Sequence, residues 1–237
     1  MKERPILFSR VMVRAILERR KTQTRRIMKP QPGNNNRIPT KSGTVINISD
    51  PRVVEHCRFG KAGDRLWVRE TFCMAGEHGS YDAAPTDGRP GWPDSLPTIH
   101  RCFYRATEPG IDFEHGDGWK PSIHMPRWAS RVDLNILGIR VEKLNEISPE
   151  DIIAEGIGHS DTPIVSFAAL WNNINAAPKL VKARGGDCAH YESYPWSNEC
   201  FDSLYPGARK CGMWRGKELR VIADPWVWVV EFKRVAA

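Results

Sequence analysis

From Leu17 to Arg26 the chain reads Leu-Glu-Arg-Arg-Lys-Thr-Gln-Thr-Arg-Arg, five cations set around two threonines. A packed core has no use for that composition. Arginine and lysine clustered at the end of a helix make an anion or nucleic-acid footprint. The same electropositive setting lowers the pKa of a lysine and helps to arm a neighbouring hydroxyl. Capping of a helix C-terminus by cations accounts for Arg19 and Arg20. It leaves the unbroken continuation through Lys21, Thr22, Thr24, Arg25 and Arg26 unexplained.

Four further groups have side chains suited to chemistry. In Arg65-Leu66-Trp67-Val68-Arg69-Glu70, alternation puts Leu66, Val68 and Glu70 on one face and Trp67 and Arg69 on the other. Glu70 therefore points inward, where a charge needs a partner. The stretch Ser122-Ile123-His124-Met125-Pro126-Arg127-Trp128-Ala129-Ser130-Arg131 mixes His and Arg with an aromatic, a surface on which a base or sugar can stack. An equally good reading makes Trp128 a half-buried anchor. Glu155 closes a short helix, where the dipole disfavours a carboxylate, so it is either solvated or close to a cation. Cys188, His190, Cys200 and Cys211 are weak candidates for a zinc site, because their spacing matches no finger or ribbon pattern.

The elements that position these residues read as follows. Pro5–Phe8 is a short opening strand, Ser9 a helix N-cap, and Met12, Val13, Ile16 and Leu17 one helical face. Residues 29–36 form a loop, and the polar segment to Pro51 is expected to lack regular structure. Phe59 to Asp64 turns into the strand 65–71, and 99–105 is a second strand. Val132 to Val141 is a long strand with a bulge at Gly138. Ser148 caps a helix with Pro149 at its first position and Gly156 as its stop. A further helix from Pro163 presents Ile164, Phe167, Ala168, Trp171 and Ile174 as a core face. Trp226 to Arg234 is a strongly apolar strand, central to its sheet.

The chain has 237 residues and a net charge of +7, which suits one domain with insertions and an anionic partner such as RNA, DNA or a nucleotide. Two stretches, about 75–98 and 176–224, read as loop-rich insertions. No apolar run is long enough to span a bilayer, and Met1-Lys2-Glu3-Arg4-Pro5 does not begin a secretory signal, so a cytoplasmic protein with no membrane partner is expected. The six cysteines lack paired spacing and are expected to be reduced thiols. Walker, dinucleotide-binding and His-Glu-x-x-His motifs are absent, and no cofactor is expected. The sequence leaves the oligomeric state open.

Lys21-Thr22-Gln23-Thr24-Arg25-Arg26 resembles the signature of ASCH domains, and Gly63 to Glu70 resembles their Gly-Asp strand. Ser148 to Gly156 is similar to their Glu-Gly helix, and Trp226 to Lys233 to their closing strand. The resemblance touches both ends and the middle of the chain and leaves the two insertions uncovered. It implies an α+β fold, a PUA-like mixed β-barrel with short flanking helices. It also implies RNA-linked roles, which in this family include base recognition, ribonuclease activity and amide hydrolysis of N4-acetylcytidine. In a small member of the last kind the catalytic Lys, Thr and Glu correspond here to Lys21, Thr24 and Glu155. The resemblance thus implies an amidohydrolase acting on an N4-acylated cytidine or cytosine, free or in RNA. Arg20, Arg25, Arg26, Trp67, Glu70, Trp128 and Arg131 are the residues expected to hold that substrate. An RNA-binding module and a ribonuclease are the alternatives.

Overall fold

The computed structural model describes residues 1–33, 35–40, 43–75, 101–108, 110, 118–158, 162–182, 189–208 and 212–235. Its strands are β1 (Glu3–Leu7), β2 (Gln23–Ile27), β3 (Arg37–Pro39), β4 (Val45–Asn47), β5 (Arg65–Arg69), β6 (Phe72–Ala75), β7 (Arg101–Tyr104) and β8 (Asp133–Lys143). They continue as β9 (Lys179–Lys182), β10 (Ala189–Ser193), β11 (Met213–Trp214), β12 (Lys217–Val221) and β13 (Trp226–Arg234). Four helices are interspersed, α1 (Arg10–Leu17), α2 (Pro149–Ala154), α3 (Pro163–Asn175) and α4 (Asn198–Leu204). The fold is α+β. Strand order is β1-β5-β8-β13-β2 in the largest sheet and β11-β12-β10-β9 in the second, with β3-β4 and β6-β7 as separate pairs. The largest sheet has two ends, β1 and β2, so the described strands form an open sheet and not a closed barrel. The chain divides into two compact units, Met1–Thr22 with Cys57–Gly138 and Glu231–Ala237, and Gln23–His56 with Ile139–Val230.

In the first unit β1 runs parallel to β5 with Ile6 opposite Val68, and β5 runs antiparallel to β8 with Leu66 opposite Leu134. All four side chains are buried, and burying each contributes about 1.5–3 kcal/mol. Asp64 ties this sheet to its turn. Its carboxylate accepts from the backbone N–H of Lys2 at 2.8 Å and of Lys61 at 3.3 Å, and the first of these bonds holds its carboxyl below the ordinary range. Gly60, at φ +121°, lets the turn approach, since a Cβ there would lie 3.0 Å from Asp64 Oδ2 and 3.2 Å from Ile136 Cδ1. β8 is continuous over Asp133–Lys143, as the long strand expected there, and the burial alternation of Asp133–Leu137 ends at Gly138.

The second unit builds its core from Leu144, Ile147, Ile152, Phe167, Trp171, Val227 and Val229. α2 forms as its sequence dictates. Ser148 Oγ accepts from Asp151 N–H at 3.1 Å, Pro149 occupies the first turn, and Gly156 takes φ +87° after the C-cap Glu155. On α3 the core face is narrower than the spacing implied. Phe167 and Trp171 are buried, but Ile164 and Ile174 are 47% and 39% exposed, because they sit in the first and last turns and overhang the contact. The polar segment before Pro51, expected to lack regular structure, carries the paired strands β3 and β4, and a 3₁₀ turn follows over Pro51–His56. The segment 176–224 is not a run of loops, for it carries β9, β10, α4, β11 and β12. Trp171 Nε1–H donates to Tyr194 O at 2.9 Å, and Trp196 N–H donates to Asn172 Oδ1 at 2.8 Å. The expected insertion at 75–98 lies outside the described residues beyond Ala75.

Candidate functional site

The basic run is shaped by the way α1 ends. Arg19 N–H donates to Ile16 O at 3.0 Å and Arg20 N–H to Ala15 O at 2.9 Å, the bond pair of a Schellman turn. Arg19 fills its left-handed position at φ 61°, which costs a non-glycine residue about 1–2 kcal/mol. Lys21 N–H also reaches Ala15 O, at 3.1 Å. Past this turn the side chains separate. Arg19 and Arg20 face solvent, and Arg20 Nε–H donates to Glu18 at 2.9 Å. Lys21 turns inward, with its ammonium 5.8 Å from the centre of the Phe8 ring and 2% of the residue exposed.

Thr22 is exposed, whereas Gln23, Thr24 and Arg25 are buried in succession, so this part of the chain has no polar face. Gln23 Nε2–H donates to Asp151 O at 2.9 Å. Arg25 is the hub of the second unit. Its Nε–H donates to Glu142 Oε1 at 2.8 Å, its Nη2 bonds both Glu142 and Asp151 Oδ2, the latter at 2.6 Å, and its Nη1 reaches Glu155 Oε1 at 3.2 Å. Arg140 closes a ring, through Nε to Glu142 Oε2 at 3.1 Å and through Nη2 to Asp151 Oδ2. Burial raises the pKa of the Asp151 carboxyl, but the bonds and charges of Arg25 and Arg140 outweigh it and hold the group below the ordinary range. The Arg25 side chain is 1% exposed, and such a cation is tolerable only when paired on several sides.

A second ion pair lies in the first unit. Glu70 is buried, as its strand face requires, and Arg131 meets it with both edges of its fork, Nε to Oε1 at 2.9 Å and Nη2 to Oε2 at 3.1 Å. Arg131 also lies 3.9 Å from the centre of the Tyr104 ring and donates to Thr107 Oγ1 at 3.0 Å. Burial pushes the Glu70 carboxyl above its usual range, and Arg131 offsets only part of that. Trp67 has the guanidinium carbons of Arg69 and Arg127 at 5.5 and 5.8 Å from its ring. Trp128 packs half-buried against the cluster of Phe72, Tyr104, Met125 and Ala129, which is the anchor reading of that residue.

The expected site residues are thus divided. Arg25 meets Glu155, which supplies the cation that a carboxylate at a helix C-terminus needs. Arg131 meets Glu70. Both arginines were expected to face substrate, but the Arg25 guanidinium is turned onto three carboxylates and the Arg131 fork onto one. Lys21 belongs to the first unit, and Thr24 and Glu155 to the second. Arg26 is half-buried. Of the zinc candidates, Cys188 and Cys211 lie outside the described residues, Cys200 sits on α4, and His190 Nε2 lies 3.3 Å from Glu192 Oε1. Among the described residues no group of three or more His, Cys, Asp or Glu is placed to hold a metal ion. The sequence reading missed Arg140, Glu142 and Asp151. Their signal was present, since Arg140 and Glu142 interrupt the apolar alternation of β8 with opposite charges two residues apart.

Comparison with known proteins returns no matching family model, curated protein or solved structure. Among the described residues no helix is long and apolar enough to cross a membrane.

Proposed function

We propose that this protein is an amidohydrolase that removes the acyl group from N4-acylated cytidine or cytosine, on an ASCH-type, PUA-like scaffold. The observation that carries the reading is the burial of three reactive side chains. Lys21 and Thr24 are each 2% exposed and Glu155 is 5% exposed, the last fixed by Arg25. The β5 strand entered through Gly63-Asp64, the α2 helix ending in Glu155-Gly156 and the apolar β13 support the scaffold.

In this mechanism Thr24 Oγ attacks the acyl carbon while the neutral amine of Lys21 takes the hydroxyl proton. The tetrahedral adduct collapses with cleavage of the C–N4 bond. The proton held by Lys21 passes, with Glu155 as relay, to the departing cytosine amine. Water then adds to the threonyl ester, the acyl carboxylic acid leaves, and the Thr24 hydroxyl regains its proton. The test is release of cytidine from N4-acetylcytidine, followed by chromatography, with Lys21→Ala and Glu155→Ala beside wild type. Turnover that both variants lose while still folded is the expected result. Folded wild type with no turnover, on the nucleoside or on acylated RNA, would remove the reading.

A second reading, an RNA-binding module or ribonuclease, is favoured by the net charge of +7 and by Trp67 flanked by Arg69 and Arg127. It requires oligoribonucleotide affinity that falls steeply with salt and survives loss of the Thr24 hydroxyl.

A further inference from the structure

The second unit holds a closed ring of alternating charge, Arg25–Glu142–Arg140–Asp151 and back to Arg25. Two guanidiniums meet two carboxylates, so the ring is balanced in itself. Glu155 hangs outside it, on the remaining nitrogen of Arg25, Nη1, at 3.2 Å. Nε and Nη2 of the same rigid fork are committed to Glu142 and Asp151, so Nη1 cannot swing away from Glu155 without breaking the ring. Asp151, in the first turn of α2, and Glu155, its C-cap, are four residues apart on the same helical face. The helix start is fixed in turn by the bond from Asp151 N–H to Ser148 Oγ. The Arg25 guanidinium therefore restrains the direction of the Glu155 carboxylate through a nitrogen whose own place the ring fixes.

We infer that Arg25 is a positioning residue for Glu155, held in its own orientation by Glu142, Asp151 and Arg140. The inference rests on the proposed amide hydrolysis, in which Glu155 relays a proton. Arg25 has no part in binding substrate, so its loss lowers kcat and leaves KM in place. A lysine at position 25 keeps the charge but not the fork, and cannot serve three carboxylates at once.

The experiment compares kcat and KM for N4-acetylcytidine in wild type, Arg25→Lys, Glu142→Gln and Glu155→Gln, each with its melting midpoint. Glu142→Gln loosens the ring without touching Glu155 and covers the case in which Arg25→Lys does not fold. The outer partners of metal ligands, which act in the same way on the group they orient, matter by about 10–100-fold, and that scale is taken here. The expected result is a kcat lowered by about that factor in Arg25→Lys, by a smaller factor in Glu142→Gln, and KM within about twofold of wild type. Guanidinium chloride at millimolar concentration is expected to restore part of the kcat of folded Arg25→Ala and none of that of Glu155→Gln. Wild-type kcat in a folded Arg25→Lys or Glu142→Gln, beside an inactive Glu155→Gln, would overturn the inference and spare the proposed reaction. A raised KM with kcat retained would also overturn it, by making Arg25 a substrate contact. A folded wild type with no turnover would overturn both.

Discussion

Removal of Arg131 leaves the Glu70 carboxylate buried on the face it shares with Leu66 and Val68, with the charge of Glu108 adding to its discomfort. The carboxylate can stay ionised without its fork or take a proton, and protonation sets the ceiling on the damage. Against an ordinary value of 4.5, holding the proton at pH 7 costs about 3.4 kcal/mol, and at pH 5 about 0.7 kcal/mol. Loss of the guanidinium from the Tyr104 ring, now at 3.9 Å, adds about 0.5–1 kcal/mol at either pH. Arg131→Ala should therefore destabilise by up to about 4 kcal/mol at pH 7 and by roughly 1.5 kcal/mol at pH 5. The direction follows from proton counts. Burial raises the Glu70 pKa in the folded protein, so between the unfolded and folded values the folded chain binds more protons, and its stability falls as pH rises through that window. Arg131 keeps the window narrow and its removal widens it. Urea unfolding of wild type, Arg131→Ala, Glu70→Gln and the double variant at both pH values measures this. In the Glu70→Gln background the cost of Arg131→Ala should lose its pH dependence. An equal loss at pH 5 and pH 7, or full additivity of the two changes, would refute the reasoning.

Asp151 behaves in the opposite sense. Its carboxyl is held below 3.8 in the folded protein, so the unfolded chain binds more protons in that window; the contribution is present above pH 3.8 and is lost as pH falls towards the folded value. Urea midpoints between pH 2 and pH 5 should show a shallower acid limb in Asp151→Asn than in wild type. Ser148→Ala removes the acceptor for Asp151 N–H and should cost about 1 kcal/mol in the same unfolding measurement. Burial pushes the Cys57 thiol up to about 11, which leaves about one thiolate in a thousand at pH 8. Iodoacetamide labelling read by mass spectrometry should therefore be at least about a hundredfold slower in the folded chain than in urea.

What could be read from the chain depended on how local its cause was. α2 was legible because Ser148, Pro149 and Gly156 act on their own backbone. β13 was legible from its continuous apolar run, and the inward face of β5 from alternation, which also placed Glu70 where it needed Arg131. The β3-β4 hairpin was not, because strands of three polar-flanked residues carry no period. Arg25 was read as a cation that holds substrate, because it stands in the basic run. The partners that bury it lie 117, 126 and 130 residues downstream, and no local pattern announces a contact at that separation. Ile164 and Ile174 show the converse error, since helical spacing identifies a face but not how far the neighbouring core extends along it.

The central claim concerns one hydroxyl, and the most direct measurement compares Thr24→Val with Thr24→Ser on N4-acetylcytidine. Thr24 is buried, and valine matches its shape while removing only the nucleophile. With melting midpoints close to wild type, cytidine release should persist in Thr24→Ser and vanish in Thr24→Val. Turnover retained by Thr24→Val would contradict the account, whatever the activity of the serine variant.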